Sequence, residues 1–108
     1  MEAEERPEET GAEYVLHLYI AGATPNSAEA VRNLQDICGR YLAGRVELQI
    51  IDIYQQPELA RQERIIAAPT LVKKRPGLLR FLVGDLSDRR RVLTLLGLSP
   101  DLDNAAHV

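Results

Sequence analysis

The sequence predicts one α/β domain, in which short strands and helices alternate along most of the chain. Three observations support this prediction. Strand-length runs of β-branched and aliphatic residues alternate with a segment of helical periodicity. The length of 108 residues suits one domain, and 45% of the residues are hydrophobic, which is enough for one core. Aromatic residues make up only 5% of the chain, so aliphatic side chains must fill that core.

The first strand is predicted at residues 14–20, which alternate in part and are rich in β-branched and aromatic types. Gly22 ends it. The loop that follows, residues 20–27, contains no cysteine, whereas a thiol-redox enzyme built on a small βαβ unit would carry Cys-x-x-Cys there. This loop therefore favours a binding module over a catalyst.

A long helix is predicted next. Asn26 and Glu29 have the spacing of a capping box, and Thr24, which a proline follows, is an alternative cap. Gly44 is expected to stop the helix soon after residue 42. The apolar residues between recur at helical spacing and define one buried face: Ala30, Val31, Leu34, Ile37, Cys38, Tyr41 and Leu42.

Residues 46–53 predict a second strand, which alternates at first and is wholly apolar at Ile50 and Ile51. Such a run is typical of an inner strand that is covered on both faces. Because one helix connects the first two strands, we expect them to be parallel, with a right-handed crossover. Pro57 then begins a short second helix that reaches about Ile65.

The remaining elements are a hairpin and a helix. Residues 70–73 and 79–83 predict antiparallel strands around a turn, with Leu79, Phe81 and Val83 on one face. A last helix is predicted at residues 88–96, capped by Ser87 or Asp85 and ended by Gly97. Four of its residues are expected to face inward: Val92, Leu93, Leu95 and Leu96.

In chain order the elements are βαβαββα, which is the thioredoxin-like arrangement: a mixed four-stranded sheet with helices on both faces. This domain is predicted to span residues 14–98. Residues 1–13 contain six glutamates and one arginine, so their charge is −5, and the two aspartates of residues 101–108 contribute −2. We expect residues 1–13 and 99–108 to be disordered acidic tails.

The body of the chain is mildly basic. The net charge of −3 leaves +4 for residues 14–100 once the charges of the two ends are subtracted. Either the ends only add solubility, or the body binds an acidic surface. The basic residues form two groups, at residues 73–80 and 89–91, and only Phe81 lies nearby for stacking. With a pI of about 5.4, this pattern favours an acidic protein over nucleic acid.

No residues indicate catalysis, and we predict neither a cofactor nor a bound metal. Cys38 lies on the buried helical face, where a small hydrophobic role is favoured over a reactive thiol. His17 is expected to be an ordinary outward-facing strand residue, and no cluster has metal-ligand spacing. The single cysteine excludes an internal disulfide, and the apolar runs are far shorter than the roughly 20 residues of a membrane span. We therefore expect a cytoplasmic protein that does not bind membranes.

Five segments resemble, in their order and spacing, the family of the circadian clock protein KaiB; they are residues 14–27, 51–53, 57–60, 66–71 and 84–89. The resemblance implies a non-enzymatic partner of KaiC, a hexameric clock ATPase. Family members bind the N-terminal ring of KaiC, where they sequester KaiA or affect clock histidine kinases. It also implies partner contacts at Lys73 and Arg80.

The resemblance further implies two alternative folds. One is a tetramer with the order βαββααβ, and the other is a thioredoxin-like monomer, which is the form that binds KaiC. It also implies a cis bond before Pro69, although trans is the default from sequence alone.

Several residues depart from the family pattern. Glu29 replaces a basic residue that is common in cyanobacterial members, and lysine is usual where His17 and Gln49 stand, so the charges at the contact surface differ. Cyanobacterial members have several prolines where this chain keeps only Pro76.

In the last segment, Leu95 and Gly97 stand in place of a glycine and an aspartate. Leucine favours a helix over glycine by about 1 kcal/mol. We therefore predict that Pro69, Pro76, Leu95 and Gly97 bear on the choice of fold and that the chain rests mainly in the thioredoxin-like state.

Three functions remain open at this point. The first is a KaiB-like adaptor that binds a KaiC-type ATPase. The second is a diverged KaiB-like protein outside the core clock, acting in stress response or with a sensor kinase. The third is a thioredoxin-class enzyme that uses Cys38 alone.

Overall fold

The computed structural model describes residues 11–99, and the elements follow the predicted order. They are β1 (Tyr14–Ile20), α1 (Pro25–Tyr41), β2 (Val46–Asp52), α2 (Pro57–Gln62), β3 (Thr70–Arg75), β4 (Arg80–Val83) and α3 (Arg89–Leu95). The predicted thioredoxin-like order is confirmed. Most of the two expected tails, residues 1–10 and 100–108, lies outside the described residues. None of the helices within residues 11–99 is long and apolar enough to cross a bilayer.

The four strands form one mixed sheet in the order β2-β1-β3-β4. β1 is parallel to β2 and antiparallel to β3, and β3 is antiparallel to β4. The predicted parallel pair and the predicted hairpin are therefore both confirmed. In the register, Leu16 is paired with Lys73, which in turn is paired with Arg80.

The prediction that β2 is an inner strand is wrong. β2 pairs only with β1 and forms one edge of the sheet, and 39% of Ile50 is exposed. Ile51, on the opposite side of the strand, is buried against α2. The inner strands are β1 and β3. A run of apolar residues indicates that a strand is at least partly buried. It does not indicate whether the strand has a neighbouring strand on one side or on both.

Helices cover the two faces of the sheet unequally. α1 and α3 pack on one face, around Leu16, Leu18 and Leu71, and form the larger core. α2 packs on the other face, against Tyr19, Ile51 and Val72, and forms a smaller core. The inward-facing residues predicted for α3 are all buried: Val92, Leu93, Leu95 and Leu96.

Thr24, the alternative cap, begins α1, and the capping box predicted at Asn26 is wrong. The Thr24 hydroxyl accepts a hydrogen bond from the Ser27 amide over 3.3 Å. The Ser27 side chain is fully buried, and its hydroxyl accepts from the amide of Ala21 over 3.0 Å. The loop between β1 and α1 is thus bonded to the helix that follows it.

α3 begins at Arg89, one residue after the predicted start at residue 88. The carboxylate of Asp88 accepts from the amide of Arg91 over 3.3 Å and caps the helix. Asp85 instead accepts from the Ser87 amide over 3.0 Å, which closes the preceding turn. Neither predicted cap is therefore the cap, because both residues belong to that turn.

The predicted stop at Gly97 is confirmed. Gly97 has φ of 77°, in the left-handed region that favours glycine. Its amide donates to Thr94 O over 3.0 Å, and the amide of Leu98 donates to Leu93 O over 2.8 Å. These two bonds form a Schellman motif, which satisfies carbonyls at the end of the helix.

Two peptide bonds are cis, those that precede Pro69 and Pro76. The isomer implied by the family resemblance is therefore present at Pro69, and the trans default is wrong there.

Glu63, directly after α2, joins that helix to the sheet. Its carboxylate accepts hydrogen bonds from the Tyr19 hydroxyl, from the Lys74 ammonium, and from Nδ1 of His17 over 3.2 Å. Burial tends to raise the pKa of this carboxylate, but these three bonds outweigh it and bring the pKa below its usual value. The expectation that His17 faces outward is wrong, because only 15% of its side chain is exposed.

Replacing Leu95 by glycine is expected to lower the free energy of unfolding by about 3 kcal/mol or more, because a buried side chain and helix propensity are both lost. Thr94→Gly is the matched control, since Thr94 is exposed in the same helix, and it should cost about 1 kcal/mol or less. Urea unfolding of both variants measures the difference. Equal costs would show that packing of Leu95 does not hold α3.

Glu63→Gln is expected to lower stability at about pH 6 by roughly 1.5–3 kcal/mol, since bonds to a charged acceptor are lost. The lowered pKa means that Glu63 stabilises the fold above its unfolded-state pKa of about 4.3 and loses that effect as the pH falls through the folded-state value. The difference between wild type and variant should therefore shrink toward about pH 3.

Glu58→Gln is the control for this prediction. Glu58 lies in α2, the helix that Glu63 follows, but 73% of its side chain is exposed where it pairs with Arg61. It should cost about 1 kcal/mol or less. A gap between Glu63→Gln and wild type that stayed constant over the whole pH range would contradict the assigned role of the carboxylate.

Candidate functional site

The loop that holds the thiols of redox enzymes contains no thiol in this chain and is instead built for rigidity. The amide of Gly22 donates to Asp52 Oδ1 over 3.3 Å, and the amide of Tyr54 donates to the same oxygen over 2.9 Å. The carboxylate thereby links the loop after β1 to the loop after β2. Asp52 therefore has a turn role at the end of β2.

Cys38 does not reach this loop. It lies within α1 with 7% of its surface exposed, as the helical pattern predicted, and burial raises the pKa of its thiol to about 11. Since the thiolate is the reactive form, this environment works against thiol chemistry. Within residues 11–99, no three His, Cys, Asp or Glu side chains are gathered in a way that could hold a metal ion.

A groove of about 830 Å³ lies between the β3–β4 turn and α3. We call it the basic groove, because four cationic residues line it and no carboxylate does. Its lining comprises Tyr14, Lys73, Pro76, Gly77, Leu78, Arg80, Phe81, Leu82, Arg90, Arg91, Thr94, Leu95, Leu96 and Gly97. The groove brings together the two basic groups that are separate in the sequence.

Lys73 is buried among the groove-lining residues, with 5% of its surface exposed. Its ammonium donates to the carbonyl of Pro76 and, over 2.7 Å, to that of Leu78. Burial lowers the pKa of Lys73, and the charge of Arg80 lowers it further. The predicted partner residue Lys73 is thus engaged in holding the turn, whereas the predicted partner residue Arg80 is exposed.

Arg90 and Arg91, both exposed, lie with Arg80 along the groove. Within residues 11–99 none of these three guanidinium groups forms an ion pair. Arg89, the neighbour of Arg90, differs because it pairs with Asp36 over 2.9 Å. The sequence analysis identified this basic run but did not place it beside Arg80. The link depends on α3 packing across the face of β4 that carries Arg80 and Leu82.

The opposite face of β4 is apolar and exposed. We define the apolar strip as four exposed side chains on this side: Phe81 and Val83 of β4, Leu79 just before it, and Ile66 in the loop between α2 and β3, with 47%, 58%, 54% and 95% of their surfaces exposed. They line a second groove of about 590 Å³. Leu79, Phe81 and Val83 share one face, as predicted, but α2 does not extend far enough to cover it. An exposed apolar patch of this kind marks an interaction site.

β4 is also an edge strand, because it pairs only with β3. One strand therefore carries an exposed basic side, an exposed apolar side and an unpaired backbone edge. An apolar centre with a charged rim is the usual composition of a protein-binding surface. The geometry of this surface suits a protein partner.

The chain matches the KaiB domain family over residues 17–98. It is 47% identical over 88 residues to the circadian clock oscillator protein KaiB of Prochlorococcus marinus (strain MIT 9303). This alignment covers 82% of this chain and 74% of that protein. The KaiB protein of Acaryochloris marina is 48% identical over 85 residues, covering 79% and 82%.

Solved structures with the same fold include thioredoxins. The Drosophila melanogaster thioredoxin Deadhead superposes with a TM-score of 0.68 at 15% identity, covering 83% of this chain and 84% of its own, which shows the fold alone. The N-terminal domain of SasA from Synechococcus elongatus superposes with a TM-score of 0.65 at 27% identity, covering 89% and 94%.

Lys73→Met tests the role of Lys73 in the turn. The substitution keeps an unbranched side chain that is one atom shorter, but it leaves the carbonyls of Pro76 and Leu78 without their donor. We expect the free energy of unfolding to fall by about 1–3 kcal/mol. Arg80→Met, at the paired position of β4, should change it by about 0.5 kcal/mol or less. Equal effects in thermal or urea unfolding would rule out a special role for the Lys73 ammonium.

Proposed function

Because the chain belongs to the KaiB family, we propose that it is a non-enzymatic adaptor of the circadian clock. It binds the ring of a KaiC-type hexameric ATPase and thereby modulates the phosphorylation cycle or the output of that ATPase. It needs no cofactor. The protein acts in the cytoplasm, consistent with a single cysteine and no disulfide.

The thioredoxin-like fold is the observation that carries this proposal. The family resemblance assigns KaiC binding to this fold, as a monomer, and the βαββααβ order to a homotetramer. In the present structure residues 89–95 form a helix, and the buried Leu95 and the helix stop at Gly97 support it. We propose that these two residues, with Pro69 and Pro76, favour the thioredoxin-like state in this chain.

The contact surface in this proposal is centred on β4. Arg80, Arg90 and Arg91 make charge-assisted contacts with carboxylates of the partner, and the apolar strip supplies the water-excluded part of the interface. Lys73 acts as a positioning residue, because its ammonium shapes the turn beside Arg80. KaiA or a clock histidine kinase is the second partner of the resulting complex.

A second candidate function places the protein outside the core clock, in stress response or with a sensor kinase. Two observations favour it. His17 stands where lysine is usual in cyanobacterial members, and only 15% of its side chain is exposed beside Glu63, so this position presents no exposed cation. Glu29, at another usually basic position, pairs with Arg32. Altered charges of this kind change the choice of partner.

Co-migration with a purified KaiC hexamer in the presence of nucleotide tests the proposed function. A stable complex at tens of micromolar is expected. The double variant Arg80→Ala and Arg91→Ala should weaken binding about tenfold or more, equivalent to about 1.4 kcal/mol, since two charge-assisted contacts are lost.

The matched control is the double variant Arg32→Ala and Arg61→Ala. It removes the same charge from exposed positions on α1 and α2, away from the groove, and should bind like wild type. Absence of a wild-type complex would overturn the KaiC proposal. Binding to a sensor kinase in its place would support the second candidate. Equal weakening by both double variants would refute the role of the basic groove.

A further inference from the structure

The unpaired edge of β4 has free backbone groups that can be assigned to particular residues. The amide of Gly84 donates to the carbonyl oxygen of Pro69 over 3.0 Å, so these two residues form a hydrogen-bonded pair at the end of the β3–β4 ladder. In an antiparallel ladder, hydrogen-bonded and non-hydrogen-bonded pairs alternate. Alternate residues of β4 therefore bond to β3, and the other two, Phe81 and Val83, direct their amide and carbonyl groups away from the sheet. Within residues 11–99 no strand pairs with this edge.

The side chains along this edge alternate between two chemical environments. Phe81 and Val83 belong to the apolar strip, and each is about half exposed. Arg80 and Leu82 project on the opposite side of the sheet, where Arg80 lies in the basic groove with Arg91. A strand laid along β4 projects its side chains in the same alternation, because directly opposite residues share a face. Every second side chain of such a strand meets cations, and the others meet apolar surface.

We propose that β4 binds an extended segment of a partner protein by strand addition, and that carboxylate and apolar side chains alternate along this segment. The backbone of the segment bonds to the outward groups of Phe81 and Val83, and its apolar side chains lie on the apolar strip. Its carboxylates meet the guanidinium groups of Arg80 and Arg91. The assignment of this segment to a KaiC-type partner rests on the proposed function; the chemistry of the segment follows from the edge of β4.

The charges favour an acidic partner over a second copy of this chain. Arg80, Arg90 and Arg91 have no carboxylate partner within residues 11–99, and no carboxylate lines their groove. Two copies joined at β4 about a two-fold axis would place both basic grooves on the same face of one continuous sheet, where like charges repel. A strand that carries carboxylates neutralises the groove instead. Elsewhere in the described range, six basic side chains are each paired with a carboxylate: Arg32, Arg40, Arg45, Arg61, Lys74 and Arg89.

β2, at the other edge of the sheet, provides an internal comparison. Its seven residues include Glu47 and Asp52 and contain no lysine or arginine. An acidic strand added at that edge meets carboxylates rather than cations, and like charges on neighbouring strands are destabilising. The same acidic segment should therefore select β4 over β2, although both strands have an unpaired edge.

A synthetic peptide tests the mode of binding on the full-length chain. In this peptide glutamate and valine alternate three times, and both ends are blocked. We expect a dissociation constant of about 1 mM or tighter. With the free peptide at about five times that value, hydrogen exchange at the amides of Phe81 and Val83, followed by NMR, should slow about sixfold. Exchange along β2 should not change.

A peptide of the same composition, with its three valines followed by its three glutamates, is the matched control. It keeps the charge and the apolar content but loses the alternation, so it should bind at least about tenfold more weakly. Equal binding by the two peptides overturns the proposal, as does slowed exchange along β2 in place of β4.

Methylation of backbone nitrogens in the alternating peptide separates strand pairing from charge. In an antiparallel alignment the valines lie opposite Phe81 and Val83, so their amides point to β4 and those of the glutamates point away. Methyl groups on the three valine nitrogens should weaken binding at least about tenfold, and methyl groups on the three glutamate nitrogens should not. The reverse result supports strand addition in the parallel sense, where the glutamate amides point to β4. Equal affinities of the two methylated peptides overturn strand addition.

Substitutions in the protein test the two sides of β4 separately. Arg80→Ala and Phe81→Ser should each weaken binding of the alternating peptide several-fold, since the first removes a cation and the second removes apolar surface. Arg61→Ala on α2 and Ile50→Ser on β2 are the matched controls, because both residues are exposed and lie away from β4. Equal effects of test and control variants overturn the proposal.

The outcomes for this proposal and for the proposed function are distinguishable. If the peptide leaves exchange at Phe81 and Val83 unchanged while a KaiC complex forms, strand addition is refuted and the clock function stands. If the peptide binds as expected but no KaiC complex forms, strand addition stands and the clock partner is refuted. Slower exchange at the same two amides when the protein alone is concentrated overturns the proposal, because β4 then pairs with a second copy.

Discussion

The position of β1 in the middle of the sheet is the constraint on which the rest of the structure depends. β1 is hydrogen-bonded along both edges, to β2 and to β3, and is covered on both faces. Leu16 and Leu18 are fully buried against α1 and α3, and Tyr19 is buried against α2. Because a strand has only two edges and two faces, nearly every other element takes its place from contact with this one.

The two halves of the chain are held by different kinds of contact. α1 packs a long apolar face on the sheet, whereas α2 and α3 have only six and seven residues. A helix as short as these is unstable alone, so tertiary contacts must hold it. α3 relies on buried leucines and on the helix stop at Gly97, and α2 relies on Ala60 and the Glu63 carboxylate.

The proposed functional surface lies around β4, where the helices no longer cover the sheet. α2 covers β1 and part of β3 but leaves the apolar strip of β4 exposed, and α3 leaves three arginines without carboxylate partners among residues 11–99. Both features are unfavourable in isolation, since exposed apolar surface and clustered like charges cost free energy. A partner with an apolar centre and carboxylates at its rim removes both costs.

The sequence by itself determined the order of elements, most of their bounds, the buried face of α1 and the stop at Gly97. These features follow from local periodicity and backbone preference, which neighbouring residues carry. It also carried the family resemblance, through segments that the comparisons with known proteins confirm over residues 17–98.

Only the tertiary structure decided which strands lie at the edges, where His17 points and what the basic residues contact. The apolar pair at Ile50 and Ile51 looks the same in an inner strand and in an edge strand beside a helix, so the prediction for β2 failed. Lys73 and Arg80 are both basic residues of the same hairpin, so the sequence does not distinguish them. In the structure Lys73 is buried and donates to turn carbonyls, whereas Arg80 is exposed in the groove. These outcomes depend on contacts between residues far apart in the chain, which local pattern does not encode.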